Sequence, residues 1–360
     1  MTARALPWIA AALAVAVPLN ASADSGSATL YGRLNLDLEY VGTRGATGNY
    51  NSTVRESSNS SRFGFRGSEY LGGGLVAIWQ IESSVIADSG GGGIALRDTW
   101  VGLDGEWGSV KAGFFLGPYD DMQPVFGNVP TLLTSILSTA AIWAQGGLAK
   151  SLGGFDARLQ NSIRYDSPDF QGLSGSAQIS LGEDARHSAV YGLGMIYNGE
   201  RFEAGLAWEH NHEVRGAGLD DDAFTATASW NFGTVRVAGV YEYLRYGTTV
   251  GPLARNFWGA SGTIAAGPGT IYLFAGRSGN GSAPGSVRVG GLASGPDTAA
   301  WQYSASYTYP LSARTLVYAG YVRIDNETNA AYNFYVHPYF PDSAAGLRLS
   351  GFVLGAAHFF

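Results

Sequence analysis

The strongest constraint on the fold is a regular alternation of apolar and polar side chains in the segment 29–41. Leu30 and Leu34 share one parity along the chain, whereas Arg33 and Asp37 share the other. A period of two residues is that of a β-strand, because successive side chains of a strand point to opposite faces. The segment therefore predicts a strand with one apolar face and one charged face.

Similar patterns recur at short intervals along the rest of the chain. They predict sixteen strands, at 28–41, 60–69, 75–87, 94–103, 108–115, 158–166, 173–182, 188–197, 201–210, 223–232, 234–246, 256–265, 269–278, 300–309, 314–324 and 347–360. The connections after even-numbered strands are short, and those after odd-numbered strands are mostly longer. Outer-membrane barrels alternate short turns and long loops in this way.

The positions of the large aromatic residues indicate which face of such a barrel meets lipid. A soluble barrel turns its apolar face inward, whereas a membrane barrel turns it outward. Many aromatic residues stand near strand ends, where they would form girdles at the two membrane interfaces: Trp79, Trp107, Phe170, Trp208, Trp230, Trp258 and Tyr309. We therefore predict an all-β, transmembrane, 16-stranded antiparallel β-barrel.

The first residues have the features of an export signal. Arg4 is basic, 5–19 is apolar, and 21–23 reads Ala-Ser-Ala, so we expect cleavage before Asp24. A membrane anchor is the alternative, but the apolar run is shorter than the ~18–20 residues of a spanning helix. The predicted organisation is a signal peptide at 1–23 and one barrel at 24–360.

Composition excludes several other classes of protein. The chain has 52 Gly and no Cys, so it is no disulfide-stabilised secreted scaffold. Its formal net charge of −7 argues against nucleic acid as a partner. No nucleophile motif, phosphate-binding loop or dinucleotide fingerprint occurs, so we expect neither enzymatic activity nor a cofactor.

The connection at 116–157 is much longer than a usual hairpin loop, and loops of this length are commonly functional. It carries apolar residues that need a packing surface, namely Phe126, Leu132, Leu133, Ile136, Leu137, Ile142 and Trp143. We expect this third loop to fold into the lumen of the barrel. The alternative is an external loop packed at the top of an oligomer.

Several segments together resemble the Gram-negative general porins, especially the branch found in Neisseria and the β-proteobacteria. The matching segments are 28–32, 61–69, 71–75, 97–103, 158–165 and 358–360. The resemblance implies a homotrimer in outer-membrane lipid and lipopolysaccharide, with the third loop as a constriction for passively diffusing small polar solutes and anions. It also implies that Phe360 is the C-terminal signal for the barrel assembly machinery.

Strand parity predicts which basic residues face the lumen. Arg62 and Arg66 alternate with two phenylalanines, and Arg97 shares parity with Thr99 and Val101, opposite Trp100. Arg158 and Arg164 are placed inward because Leu159, Ile163 and Tyr165 are placed outward. The resemblance implies that Arg62, Arg97 and Arg158 line the constriction. The further candidates are Arg33, Arg66, Lys111 and Arg164.

The opposing side of the constriction is expected to be acidic, with Asp120 and Asp121 of the third loop as candidates. The chain departs from the family twice here. Val125 stands where many relatives have an acidic residue, and Phe114 precedes Phe115 where many have an arginine. The first change favours anions, so we expect a general porin with an anion preference. A substrate-specific channel is the alternative.

Two weaker signals lie beside a later loop. His210 and His212 could bind a metal, but the sequence places no third ligand, so a solvated pair is the interpretation and no metal site is predicted. Residues 220–222 are three aspartates, which fit a solvated loop tip, with Ca²⁺ bridging to lipopolysaccharide as the alternative.

Overall fold

A computed structural model of the chain describes residues 26–45, 51–128, 135–144, 154–183, 187–335, 337–339 and 344–360. The predicted signal peptide lies outside these residues. The described strands form one closed antiparallel barrel with sixteen wall strands. These are β1 Ser27–Gly45, β2 Arg62–Gly72, β3 Leu75–Val85, β4 Thr99–Gly105, β5 Gly108–Leu116, β6 Arg158–Asp166, β7 Leu173–Leu181, β8 Ala189–Asn198, β9 Phe202–His212, β10 Asp221–Asn231, β11 Val235–Tyr246, β12 Leu253–Ala266, β13 Gly269–Ser278, β14 Ala300–Pro310, β15 Thr315–Asn326 and β16 Leu347–Phe359.

The barrel closes where β1 meets β16. The register runs from the pair Arg33↔Phe359 to the pair Gly45↔Leu347. Phe360 adds two backbone hydrogen bonds, because its N–H donates to the carbonyl of Gly32 and its own carbonyl accepts from the Gly32 N–H. Its ring lies against Gly32, where a Cβ atom would come within 2.4 Å of Phe360 Cζ.

The other edge of β1 pairs with two strands in turn. Its first residues pair with β2, and its middle pairs with the short strand Thr53–Ser58. That short strand continues the line of β2 after a break at 59–61, where Ser60 has a φ of 53°. Three further short strands, Gly92–Gly93, Arg288–Val289 and Leu292–Ala293, lie within long connections.

The predicted number of strands and the alternation of their connections are both confirmed. The turns after β2, β4 and β12 are two residues long, at 73–74, 106–107 and 267–268. The fourth strand was placed too early, because 94–97 forms turns and β4 begins only at Thr99. Within the described residues, no helix has the length and apolar character of a membrane span.

The two faces of the wall have the polarity expected of a membrane barrel. On the outer face Leu38 is 56% exposed and Leu354 is 64% exposed. On the inner face of β1, Asn35, Asp37 and Glu39 are buried and polar. An exposed apolar exterior around a polar interior is the reverse of a water-soluble barrel.

The described parts of the connection between β5 and β6 are 117–128, 135–144 and 154–157. They contain the 3-10 helix Asp120–Met122, the short α-helix Gln123–Phe126 and the 3-10 helix Thr139–Ala141. Most of their side chains are buried. They form one apolar cluster with inward side chains of the later strands, including Leu244, Phe257 and Phe274.

Candidate functional site

Glu82, on the inner face of β3, is the centre of a group of charged residues. Its Oε1 lies 2.5 Å from Nε of Arg97, and its Oε2 lies 3.3 Å from Nε of Arg62. The Tyr31 hydroxyl also donates a hydrogen bond to Oε2, at 3.1 Å. Within the described residues, one carboxylate therefore serves two guanidinium groups, which leaves a local excess of positive charge.

The predicted inward position of Arg97 is supported by this contact, but the parity argument for it was wrong. Val101, on the same parity as Thr99, is 62% exposed on the outer face. Trp100 faces inward, where the Lys111 ammonium lies 5.4 Å from the centroid of its ring. Arg97 reaches Glu82 because turns precede β4, so the alternation of the strand does not extend to it.

Arg33 and Arg66 stand on either side of this group. Arg33 is directly paired with Arg62 across β1 and β2, and it donates to the backbone carbonyls of Asn59 and Ser60. The guanidinium of Arg66 lies over the ring of Tyr31, 5.2 Å from its centroid. Four basic residues predicted for the pore thus lie close together. Arg62 and Arg97 contact Glu82, Arg66 lies over Tyr31, and Arg33 stands beside Arg62.

Arg158 begins β6 and forms an ion pair with Asp98, in which Nε and Oδ1 are 2.5 Å apart. The alternation of β6 breaks at Asn161, which has a φ of 50°, beside an irregularity in the pairing with β5. Leu159 consequently pairs with the buried, inward Phe115. Its predicted outward orientation was wrong, because a strand bulge shifts the parity of the residues before it.

Lys111 and Arg164 form a second charged group farther around the wall. Lys111 Nζ lies 2.8 Å from Oδ2 of Asp166. Arg164 Nη2 lies 2.8 Å from Oδ1 of Asp166 and 2.6 Å from Oδ2 of Asp121. Two cations face two carboxylates, so this group is balanced. Asp121 also links the third loop to the wall.

Asp120, the other acidic residue predicted on the loop, lies in a different environment. Burial raises the pKa of its carboxyl group well above the ordinary value, and the nearby charges of Asp156 and Asp121 raise it further. Arg158 opposes this shift only in part. Burial also raises the pKa of Asp121, although Arg164 acts against it. Both loop carboxyls therefore have raised pKa values, and only Asp121 has a cation in direct contact.

The two departures from the family pattern, at Val125 and at Phe114, lie in different elements, one in the third loop and the other on β5. Val125 is buried in the short helix of the loop, and its backbone carbonyl accepts a hydrogen bond from Arg236 at 2.6 Å. Phe114 pairs with Thr99. Phe115 is the inward member of the Phe-Phe pair, with its ring centroid 5.9 Å from the Lys111 ammonium. Of the three residues, Phe115 is the one whose side chain lies against a charged group of the wall.

The third loop is attached to the opposite wall by a fully buried ion pair. Glu242 of β11 and Arg255 of β12 are 3.1 Å apart, between Oε2 and Nη1. Glu242 accepts from the Tyr119 hydroxyl at 2.8 Å and from the Ala144 N–H at 2.7 Å, while Arg255 donates to the carbonyl of Ile142 at 2.7 Å. The pair thus bonds to two of the described parts of the loop, 117–128 and 135–144.

Further hydrogen bonds extend this attachment to β13 and β14. The Tyr272 hydroxyl donates to the carbonyl of Phe126 at 2.8 Å, and the Gln302 amide donates to that of Ser138 at 2.7 Å. The rings of Tyr119 and Trp143 stack with their centroids 5.5 Å apart. The described loop residues therefore pack against, and bond to, inward side chains of β11 to β14.

Sequence reasoning missed the acidic and anchoring residues of this interior. Glu82 and Asp166 could have been found, because each shares strand parity with an inward polar residue two positions away, Gln80 or Arg164. The contact of Glu242 with Arg255 could not have been found in this way, because it depends on the register between β11 and β12. Nothing local in the sequence indicates that this pair meets the third loop.

A family model described as Gram-negative porin matches residues 10–329. The chain belongs to this family. Major outer membrane protein P.IB of Neisseria meningitidis serogroup B is 31% identical over 217 residues, which are 56% of this chain and 58% of that protein. Outer membrane porin protein 32 of Delftia acidovorans is 26% identical over 249 residues, covering 67% of this chain and 70% of that protein. The chain thus spans little more than half the length of the Neisseria relative.

Solved porin structures share the fold. An anion-selective porin from Comamonas acidovorans matches with a TM-score of 0.74 at 24% identity, covering 93% of this chain and 100% of that one. The Vibrio cholerae outer membrane protein OmpT, in a trimer form, matches with a TM-score of 0.69 at 16% identity, covering 94% and 100%. Family and fold together identify this porin as an outer-membrane protein.

Proposed function

We propose that this porin forms a water-filled channel for the passive diffusion of small hydrophilic solutes and ions, with a preference for anions. The observation that carries the proposal is the group around Glu82, in which Arg62 and Arg97 share one carboxylate. A local excess of guanidinium charge in a narrow passage concentrates anions and opposes cations. Proteins of the family, including one described as anion-selective, support the same proposal.

The third loop is proposed to form the constriction opposite these arginines. Its support is the set of hydrogen bonds that hold the loop to the inner side of β11 to β14, together with the ion pair between Asp121 and Arg164. In this arrangement solutes pass between the loop and the wall formed by β1 to β6. Arg62, Arg66, Arg97 and Arg158 are then the side chains that they meet, whereas the predicted pore residue Arg33 is buried beside Arg62.

The protein is proposed to act as a homotrimer in outer-membrane lipid. The trimer form of a Vibrio cholerae protein with the same fold supports this assembly. Phe360 is proposed as the signal for the barrel assembly machinery, supported by its position in the closing seam. We also propose that the trimer contacts lipopolysaccharide in that membrane.

The proposal is tested in planar bilayers with purified protein, in a gradient of KCl. We expect stepwise conductance and a reversal potential of the sign that indicates chloride permeation. A clear cation preference would contradict the role of the arginine group, and absence of conductance would contradict the channel itself. Saturable block by one solute at low concentration would instead identify a substrate-specific channel.

A further inference from the structure

Two histidines lie side by side on the outer face of the barrel, at the end of β9. His210 and His212 share strand parity with Trp208, whereas the intervening Glu209 and Asn211 are buried inward. The rings of Trp208 and His210 stack with centroids 5.9 Å apart, and those of His210 and His212 are 6.3 Å apart at an interplanar angle of 21°. Both imidazoles therefore present nitrogen atoms to one small region beyond an exposed tryptophan.

The connection after β9 brings a third potential ligand to this region. Asp220, the last residue before β10, places its Oδ1 2.9 Å from Nδ1 of His212 and accepts from the Glu213 N–H at 3.1 Å. One potential ligand atom from each of His210, His212 and Asp220 lies within 4.8 Å of the others. The sequence had suggested a pair without a third ligand, because it does not show that the connection 213–220 folds back onto the strand end.

A neighbouring carboxylate orients one of the two imidazoles. Asp222 pairs with His210 across β9 and β10, and its Oδ1 lies 2.8 Å from Nδ1 of that ring. Its Oδ2 accepts from Arg245 Nη1 at 3.0 Å. A carboxylate that fixes one nitrogen of a histidine leaves the other available, and this arrangement typically supports histidines that bind metals.

We propose that His210, His212 and Asp220 form a binding site for a divalent transition-metal ion of the zinc class. Two imidazoles and one carboxylate suit Zn²⁺, Cu²⁺ or Ni²⁺, whereas Ca²⁺ and Mg²⁺ prefer sites made of oxygen atoms. The side chains of His210, His212 and Asp220 are 25%, 42% and 44% exposed, so an ion reaches them from solvent.

The spacing requires only small movements to become a coordination shell. Bonds of about 2.0–2.2 Å to a tetrahedral ion place ligand atoms roughly 3.3–3.6 Å apart. The contact of 2.9 Å between His212 and Asp220 is slightly shorter than that range, and the ligand atom of His210 lies within 4.8 Å of the other two, so the three atoms need to shift by about an ångström to bind one ion. Three protein ligands leave a fourth position for water. The bound ion would join the end of β9 to the connection that follows it, independently of any role in conduction.

The test is titration of the purified, detergent-solubilised protein with ZnCl₂ in a calorimeter. We expect one ion per protomer for the unaltered protein. Removal of a direct ligand in His212→Ala or Asp220→Asn is expected to weaken binding more than ~100-fold, and Asp222→Asn by about 10–100-fold, the usual effect of losing a supporting group. Co²⁺ supplies a second readout, because its visible absorption reports a tetrahedral nitrogen and oxygen environment.

His358→Ala is the matched control, since His358 is another exposed histidine on the outer face, bonded to Thr315 of the neighbouring strand. It should bind Zn²⁺ as the unaltered protein does. Retention of the folded barrel by each variant is checked from circular dichroism. No binding of Zn²⁺ at millimolar concentration would overturn the proposal. So would binding that survives in His212→Ala, or that falls equally in His358→Ala.

Discussion

The two sides of the barrel interior use charge in opposite ways. Around Glu82, Arg62 and Arg97 remain partly exposed, at 27% and 12%, and outnumber their single carboxylate partner. Across the lumen, Glu242 and Arg255 are fully buried, matched one to one, and bonded to the third loop. A charge near water can act on passing ions, whereas a buried pair serves to hold structure in place. Exposure and stoichiometry therefore distinguish the residues proposed to act on passing ions from those that hold the third loop.

The largest expected effect is on the buried side. Glu242→Ala leaves the guanidinium of Arg255 buried without its carboxylate, and breaking a buried pair in this way costs about 3–5 kcal/mol. We expect the midpoint of denaturant unfolding to fall and the channel current to become noisy as the loop loosens. Arg348→Ala is the control, because Arg348 is 55% exposed in its pair with Asp325, which keeps its second partner Arg323, so the lost pair should contribute only ~0–1 kcal/mol. If the two substitutions lower the unfolding midpoint equally, burial does not distinguish the two ion pairs.

Arg62→Glu should have the largest effect on selectivity. It replaces one of the two cations paired with Glu82 by a second carboxylate, so the summed charge of residues 62, 82 and 97 changes from +1 to −1 while Arg33 and Arg66 remain beside them. The reversal potential in a KCl gradient is expected to change sign or to approach zero, while thermal stability changes little. An unaltered potential would show that ions do not pass this group.

A smaller effect is expected from pH through Asp120. Its raised pKa keeps the carboxyl neutral at acidic pH, and ionisation as pH rises adds a negative charge near Arg158 and Asp98. The anion preference should therefore decrease as pH increases through the raised pKa. Reversal potentials measured across the pH range should show this decrease, and Asp120→Asn should reduce it. If Asp120→Asn and the unaltered protein show the same pH profile, Asp120 does not act on the ions that pass through the pore.

The smallest effect is expected from the balanced group. The double substitution Lys111→Met with Asp166→Asn removes one charge of each sign and leaves the net charge of the wall unchanged. We expect the reversal potential to stay within about a few millivolts of its original value, since a neutral pair contributes little field at a distance. Arg62→Met, which removes one uncompensated cation, should lower the anion preference by more. A larger shift from the double substitution would show that charge positions matter more than their sum.

The fold was largely predictable because strand periodicity is a local signal. The sixteen strands and their alternating connections follow from side-chain parity and turn residues, and both are confirmed. The site was predictable only where strands stay regular, as for Arg62 and Arg66. Parity failed at Arg97 and Leu159, since turns separate Arg97 from β4 and a bulge shifts the phase of β6. The partners Glu82 and Glu242 depend on pairing between strands, which a single sequence does not specify.

The seam between β1 and β16 has a consequence for the order of assembly. These two strands lie at opposite ends of the described chain, so the last hydrogen bonds of the ring join residues that are among the farthest apart in sequence. Contacts of this kind form slowly, because the chain loses much conformational entropy before the contacts contribute any stabilising free energy. Until they form, β1 and β16 both present open edges that can pair with other chains. The interval before closure is thus the period in which this barrel is most exposed to misassembly, and substitutions at Gly32 or Phe360 should lengthen it.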